Sequence, residues 1–392
     1  MVLVFFTHPD FLESQSMPRY ANMLTKGMAD RGHQVKIWTA KPYLSRLPVP
    51  PFLKKWAGYI DQYLIFPFKI KFFLRASPPN ALFIFTDQAL GPWVPFVKKR
   101  RHVVHCHDFL AQQSALDKIP ENKTGWTGRR YQSYIRQGYS TARNFISVSK
   151  KTRDDLHKFL GYIPTMSEVV YNGLNQTFLK QDANDARSLV TKYTGIDLTK
   201  GYILHVGGNQ WYKNRTGVIE IYDAWRELGG KELPLVMIGQ PPSAKLFVKH
   251  DQSKYKDSIH LVTGINNDLI RSAYAGASVL LFPSIAEGFG WPIVEAMASG
   301  CPVVTTNEAP MTEVAADAAY FINGKPHEET GSTAWAADAA MVLNTVLNLN
   351  AEERRAVIDK GLINAKRFDT DDALECIEKI YLKIIEDFEE KI

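Results

Sequence analysis

Short apolar runs alternate with longer segments of helical period along most of this chain. Val2–Phe6 reads as a buried strand, Met17–Arg31 as a helix stopping at Gly32, and Gln34–Thr39 as the next strand. Strands at Ala81–Phe85, His102–Cys106 and Asn144–Val148 extend the series. Residues 174–200 are polar with one helix and read as a linker. A second set then begins, with strands at Tyr202–Val206, Leu235–Ile238, Ile259–Val262, Val279–Phe282 and Pro302–Thr305, and a helix at Asp268–Tyr274. The tail from Thr330 is helical and closes with a long helix, Ala373–Phe388. Strands that alternate with helices in this way predict parallel sheets covered on both faces. No internal repeat or low-complexity segment interrupts the pattern.

The richest stretch runs from Ser278 to Asn323. Strand Val279–Phe282 leads into Glu287-Gly288-Phe289-Gly290, and then Pro292 enters the first turn of a helix, where its missing N–H costs nothing. That helix stops at Gly300, and a strand follows at once. Such a turn lies at the carboxyl end of its strand, where sheets of this kind bind ligands. A helix start approached by glycines seats an anion. The flanking carboxylates of Glu287 and Glu295 accept hydrogen bonds from diols. A phosphorylated, hydroxyl-rich molecule such as a nucleotide sugar meets both requirements. The plainer alternative makes Glu287 a helix cap and Glu295 a solvated face residue.

A length of 392 residues suffices for two domains, and 45% hydrophobic with 22% charged residues describes an ordinary globular protein. Cys106, Cys301 and Cys376 are scattered without a CxxC, which predicts a reducing compartment and argues against a zinc or disulfide frame. MVLVFFTHPDF reads as a first strand, not a leader, and no apolar stretch is long enough to span a bilayer. The formal net charge is +6, unevenly spread: residues 1–150 hold 22 Lys and Arg against 8 Asp and Glu, and the remainder 25 against 33. The basic half predicts an anionic partner; no motif for nucleic acid accompanies it.

Part of that basic half is PPFLKKWAGYIDQYLIFPFKIKFFLR, residues 50–75. Phe52, Trp56, Tyr59, Ile60, Tyr63 and Leu64 fall on one helical face, Lys54, Lys55, Lys69, Lys71 and Arg75 interleave with aromatics, and Pro67 breaks the run. A basic, aromatic, amphipathic segment suits a membrane surface or an anionic acceptor. It equally suits a helix packed on its own sheet with lysines reaching out to water.

E-G-F-G-(x)4-E, followed by A-x-x-x-G-x-P-V-V, closely resembles the donor signature of retaining glycosyltransferases of family 4 (glycosyl transferases group 1). The resemblance runs along nearly the whole chain. Arg31-Gly32-His33-Gln34-Val35 is similar to the R-G-H-x-V that closes the family's first helix. Ser14-Gln15-Ser16-Met17 lacks the paired glycines common there. His105-Cys106-His107-Asp108 resembles the strand-end H-D, which implies that His107 faces the donor sugar with Asp108 beside it. Ser147-Val148-Ser149 and Val170-Tyr171-Asn172-Gly173 match family positions, the latter near the end of the first domain. Gly207-Gly208-Asn209-Gln210-Trp211-Tyr212-Lys213-Asn214 resembles the diphosphate loop. Lys213 and Asn214 match, Tyr212 stands where an arginine is usual, and Arg215 is the nearest further cation. Gly264 corresponds to a glycine lining the nucleobase pocket.

The resemblance implies a GT-B fold: two Rossmann-like, doubly wound α/β domains facing across a cleft. The amino-terminal, acceptor-binding domain is expected over 1–175, with the helix at about 373–392 packing back on it, and the donor domain over 176–372. The expected reaction is hexosyl transfer with retention, from a UDP- or GDP-hexose to a glycan or lipid-linked acceptor, at the cytoplasmic face of a membrane. Neither cofactor nor metal is expected; Asp369-Thr370-Asp371 spells a metal-chelating D-x-D but opens a helix, which favours capping. By resemblance Glu287 holds the sugar hydroxyls, Glu295 the ribose diol and Lys213 the departing diphosphate. Another GT-B enzyme such as a phosphorylase, and a non-catalytic sugar- or lipid-binding scaffold, stand as alternatives. A dehydrogenase is disfavoured because no G-x-G-x-x-G follows the first strand.

Overall fold

The computed structural model describes residues 1–12, 16–48, 50–174 and 178–389. The chain forms two compact units. One comprises Met1–Ile119, Lys123–Tyr171 and Asp371–Ile392, the other Pro120–Asn122 and Asn172–Thr370.

Each unit is built on a six-stranded parallel sheet. The first contains β1 (Val2–Phe6), β2 (Gln34–Trp38), β3 (Leu82–Phe85), β4 (His102–Cys106), β5 (Asn144–Ser147) and β6 (Met166–Val169), in the order β2-β1-β3-β4-β5-β6. Alternate residues of its strands supply two cores, as the strand period requires. Val4, Phe6, Phe83, Phe85 and Val104 face one side, with Trp93 and Tyr139. Leu3, Phe5, Leu82, Ile84 and Val103 face the other, under helix Ser16–Asp30 and the last helix, which contributes Leu374, Ile377, Tyr381 and Ile384.

The second sheet contains β7 (Ile203–Val206), β8 (Leu235–Ile238), β9 (Ile259–Val262), β10 (Val279–Phe282), β11 (Val303–Thr306) and β12 (Tyr320–Ile322), in the order β12-β11-β10-β7-β8-β9. The chain enters at β7, winds out to β9, and returns to β10 on the opposite side. That reversal between β7 and β10 marks a crevice at their carboxyl ends. The helix expected in the linker, Ala183–Thr194, is not a tether: Ala186 and Val190 are buried, and Arg187 Nε donates to the Gly276 carbonyl at 2.8 Å.

Residues 51–75 depart from expectation in two ways. Helix Pro51–Ile60 continues through a π turn, Asp61–Ile65, into helix Phe66–Arg75. Pro67 falls in the first turn of that last segment, where it breaks nothing. The buried Asp61 carboxylate holds the preceding loop by accepting from the N–H groups of Leu44 and Ser45, at 2.9 and 3.0 Å. The supposed single aromatic face is two stripes. Tyr59 and Tyr63 turn inward against Tyr131, whereas Leu53, Trp56, Ile60, Leu64, Phe68 and Phe72 are exposed.

Candidate functional site

The loop after β7 and the loop after β10 meet at the reversal of the second sheet. Lys213 Nζ lies 2.7 Å from Glu287 Oε1, with both side chains largely buried. Ser284 Oγ donates to the same carboxylate oxygen at 2.5 Å. The loops are tied together through their backbones as well: Ile285 N–H donates to the Tyr212 carbonyl at 2.7 Å, and Asn214 Nδ2 to the Pro283 carbonyl at 3.0 Å. Asn214 is left-handed (φ 51°) and caps helix Arg215–Glu227 by accepting from Gly217 N–H. The Lys213 ammonium also sits 5.2 Å from the Phe282 ring centre and 5.5 Å from that of Tyr212, so two aromatic faces accompany the carboxylate.

Beneath the loop, His205 on β7 is fully buried. Its Nδ1 donates to the Leu281 carbonyl at 3.0 Å, and Nε2 lies 3.0 Å from where a Cβ on Gly207 would stand. Burial, against the Leu281 bond and helped by the charges of Arg215 and Lys213, pushes its pKa down to about 3. The second loop glycine, Gly208, is closed over by Gln210, whose Oε1 lies 2.5 Å from where a Cβ would stand, and Asn209 bonds through Nδ2 to the Pro241 carbonyl at 2.7 Å.

Arg215, the nearest further cation in sequence, is buried and tied by one guanidinium nitrogen: Nη1 donates to Asn209 Oδ1 at 2.6 Å and to the Gln240 carbonyl at 3.1 Å. A hollow of about 920 Å³ takes in Asn209, Asn214 and Arg215 but not Lys213 or Glu287. The loop chemistry, not that hollow, defines the candidate site.

After β10 the turn ends at Gly290, whose φ of 106° no side chain adopts easily, and helix Trp291–Ala298 begins with Pro292 in its first turn. The Phe289 ring is buried against Trp291 and Phe368. Only the main chain of Gly288-Phe289-Gly290 is therefore suited to meet a ligand. Glu295 is only 6% exposed, so it is not a solvated face residue, and Tyr274 donates its hydroxyl to Oε2 at 3.0 Å. Gly264, two residues beyond β9, has φ 71° and opens onto empty space.

Three of the selected residues lie elsewhere. His107 and Asp108 follow β4 in the first unit. His107 Nε2 donates to the Thr86 carbonyl at 2.9 Å, and the ring is edge-on to Tyr20. Burial lowers its pKa, against the raising effect of Asp87. Asp108 Oδ1 accepts from Leu110 N–H at 3.1 Å. Asn172 is buried, and among the described residues no hydrogen bond reaches its Oδ1. Of the basic residues, Lys54 and Lys55 are exposed next to the 58%-exposed Trp56, Lys71 is exposed over the Phe68 ring, and Lys69 is bound to the Tyr43 hydroxyl and stacked on its ring. Ser14 and Gln15 lie outside the described residues. Ser284 and Tyr274, which hold the two glutamates, carry no signal in the sequence; the topology reveals them.

A pair of doubly wound parallel sheets with a charged site at the reversal of one defines a GT-B protein. Residues 189–359 match the family model for glycosyl transferases group 1, and residues 17–178 that for glycosyltransferase family 4. The chain belongs to this family of glycosyltransferases. It is 23% identical over 192 residues to O-antigen chain mannosyltransferase B of Escherichia coli, covering 48% of this chain and 50% of the relative. It is 23% identical over 232 residues to O-antigen chain mannosyltransferase RfbU of Salmonella typhimurium, covering 59% and 58%. These matches thus span only about half of the curated relatives' length. HepE from Anabaena, solved in complex with UDP and glucose, shares the fold with a TM-score of 0.70 at 15% identity, over 97% of this chain and 99% of that one.

Proposed function

We propose that the protein transfers a hexose from a nucleotide diphosphate sugar to a glycan or lipid-linked acceptor, with retention of configuration and without a metal ion. The observation that carries this reading is the Lys213–Glu287 pair at the reversal of the second sheet. As the sugar–phosphate bond breaks, negative charge collects on the diphosphate. Lys213 and the main chain around Gly288-Phe289-Gly290 stabilise it there, in a site already organised before reaction. Glu287, held by Ser284, accepts from sugar hydroxyls, and Glu295, held by Tyr274, serves the ribose diol. Gly264 leaves room for the base, and Asn209 and Asn214 shape the loop. A nucleotide sugar is in keeping with the UDP and glucose bound by HepE.

The acceptor is assigned to the first unit, at the cytoplasmic face of a membrane. Support comes from the exposed apolar stripe Leu53 to Phe72, flanked by Lys54, Lys55, Lys71 and Arg75. Among the described residues no helix is long and apolar enough to cross a bilayer, so contact would be peripheral.

A thermal-shift screen against UDP, GDP, ADP and their hexoses tests the donor assignment. A nucleotide binding only the native state at a hundred times its Kd adds about 2.7 kcal/mol of stability and raises the melting temperature. Failure of every nucleoside diphosphate to do so overturns the reading.

A further inference from the structure

The first unit carries a polar pair that the assignments above leave unused. In its sheet β2 lies beyond β1, and β4, β5 and β6 lie beyond β3, so the chain reverses between β1 and β3. The crevice at their carboxyl ends is that unit's own ligand position. His8 follows β1 by two residues and Asp87 follows β3 by two, and they meet there with His8 Nε2 2.8 Å from Asp87 Oδ2.

The geometry sets which nitrogen of His8 faces the carboxylate. The Asp87 side chain is 9% exposed, and its Oδ1 is occupied by Ala89 N–H at 2.9 Å, capping segment Gln88–Val97. Burial pushes this carboxyl up, but the hydrogen bond and charge of His8, then the charge of His107, outweigh it and hold the group below its usual pKa. An ionised carboxylate only accepts, so His8 Nε2 must carry the hydrogen. In the neutral ring Nδ1 is then a bare acceptor. Among the described residues no hydrogen bond reaches Nδ1, and the side chain keeps 14% of its surface open.

We propose that His8 and Asp87 form the acceptor-hydroxyl seat of the first unit: a pyranose acceptor gives one hydroxyl hydrogen to His8 Nδ1. This rests on the glycosyltransferase reading, because a transferase must hold a second sugar besides its donor. Asp87 is a positioning residue, setting which ring nitrogen accepts.

The test uses the full chain labelled with 15N in histidine, titrated with methyl α-D-mannopyranoside and methyl α-D-glucopyranoside. Long-range 1H–15N spectra should show a saturable upfield shift of His8 Nδ1 with at least one glycoside, while His105 and His107 stay put and report an intact unit. Asp87→Asn offers an amide hydrogen to Nε2, so the ring turns donor at Nδ1 and the shift disappears. In transfer assays on the same glycoside, His8→Ala should raise acceptor KM by about tenfold or more, the loss of one good hydrogen bond. A His8 signal that neither glycoside moves, in protein that still binds nucleotide, overturns the proposal, as does an equal shift in Asp87→Asn. A His8 shift in protein that no nucleoside diphosphate stabilises leaves the sugar seat standing and removes the transferase reading instead.

Discussion

Lys213 Nζ and Glu287 Oε1, 74 residues apart in sequence, stand 2.7 Å from one another because β7 and β10 are neighbours in the second sheet. Without donor the ammonium is neutralised by a carboxylate. On the proposed function, a bound donor would share it between that carboxylate and the diphosphate, with Ser284 holding Glu287 in place.

Removing one partner strands the other. Lys213→Met should destabilise the protein by about 3–5 kcal/mol, because Glu287 is left as a buried, unpaired charge. The double variant Lys213→Met with Glu287→Gln should recover much of that loss. Thermal melts of the single and double variants check it. A double variant as unstable as the sum of the two singles would show that the pair is not energetically coupled.

The same two residues should separate from Glu295 in kinetics. Lys213→Ala should lower turnover on the order of 10²-fold or more, by analogy with the loss of one oxyanion donor. Glu287→Ala should also act on turnover, since contacts to the sugar strengthen as its bond breaks. Glu295→Ala should chiefly raise donor KM, and Tyr274→Phe should do the same more weakly, by roughly one neutral hydrogen bond. A Glu287→Ala enzyme with normal turnover and only a raised KM would reassign that residue.

Two buried histidines predict an acid limit. His105, bonded to the hydroxyls of Tyr20 and Tyr381, is pushed down to about 3 by burial and then by the charge of His107; His205 is pushed down to about 3 as well. Both are neutral in the folded protein and become protonated near pH 6.5 on unfolding. Their contribution is complete above pH 6.5 and is lost as pH falls toward 3, each at about 1.4 kcal/mol per pH unit. Melting temperatures recorded at pH 7.5, 6 and 5 should be level at first and then drop. His105→Gln should flatten the drop for the first unit; an unchanged acid profile would show that this ring is not the titrating group.

The exposed stripe makes a surface prediction. Each basic residue near an anionic bilayer contributes roughly 1 kcal/mol, and apolar side chains entering the interface add to it. Phe68→Glu with Phe72→Glu should abolish co-sedimentation with anionic liposomes without loss of fold, since these rings are 72% and 69% exposed. High salt should weaken binding of the parent protein. The excess charge of residues 1–150 overstates the attraction, because the last helix adds Asp371, Asp372, Glu375 and Glu378 to the same unit. If the parent stays in the supernatant with anionic lipid at low salt, a soluble anionic glycan is the better acceptor.

The fold was legible because strands buried on both faces read as unbroken apolar runs, as in Val279–Phe282 and Leu235–Ile238. The glutamates and Lys213 were legible from their loops, but their partners were not: Tyr274 reaches Glu295 from another helix, and Ser284 matters only through the turn geometry. Residues 51–75 misled for a simpler reason. Neighbouring residues in a helix point about 100° apart, so Tyr59–Tyr63 and Ile60–Leu64 form separate stripes that periodicity alone merges into one face. His8 and Asp87 were invisible in sequence. Each is a single polar residue after an apolar strand, and only the sheet order makes them neighbours.

The decisive experiment is proton NMR of the wild-type protein consuming a UDP- or GDP-α-hexose, with and without chelator, beside Lys213→Ala. The anomeric signal of the first product should be α, from transfer or from slow hydrolysis. Chelator should leave the rate unchanged, and Lys213→Ala should slow it on the order of 10²-fold. A first product of β configuration, a rate abolished by chelator, or Lys213→Ala turning over like the parent would contradict the account.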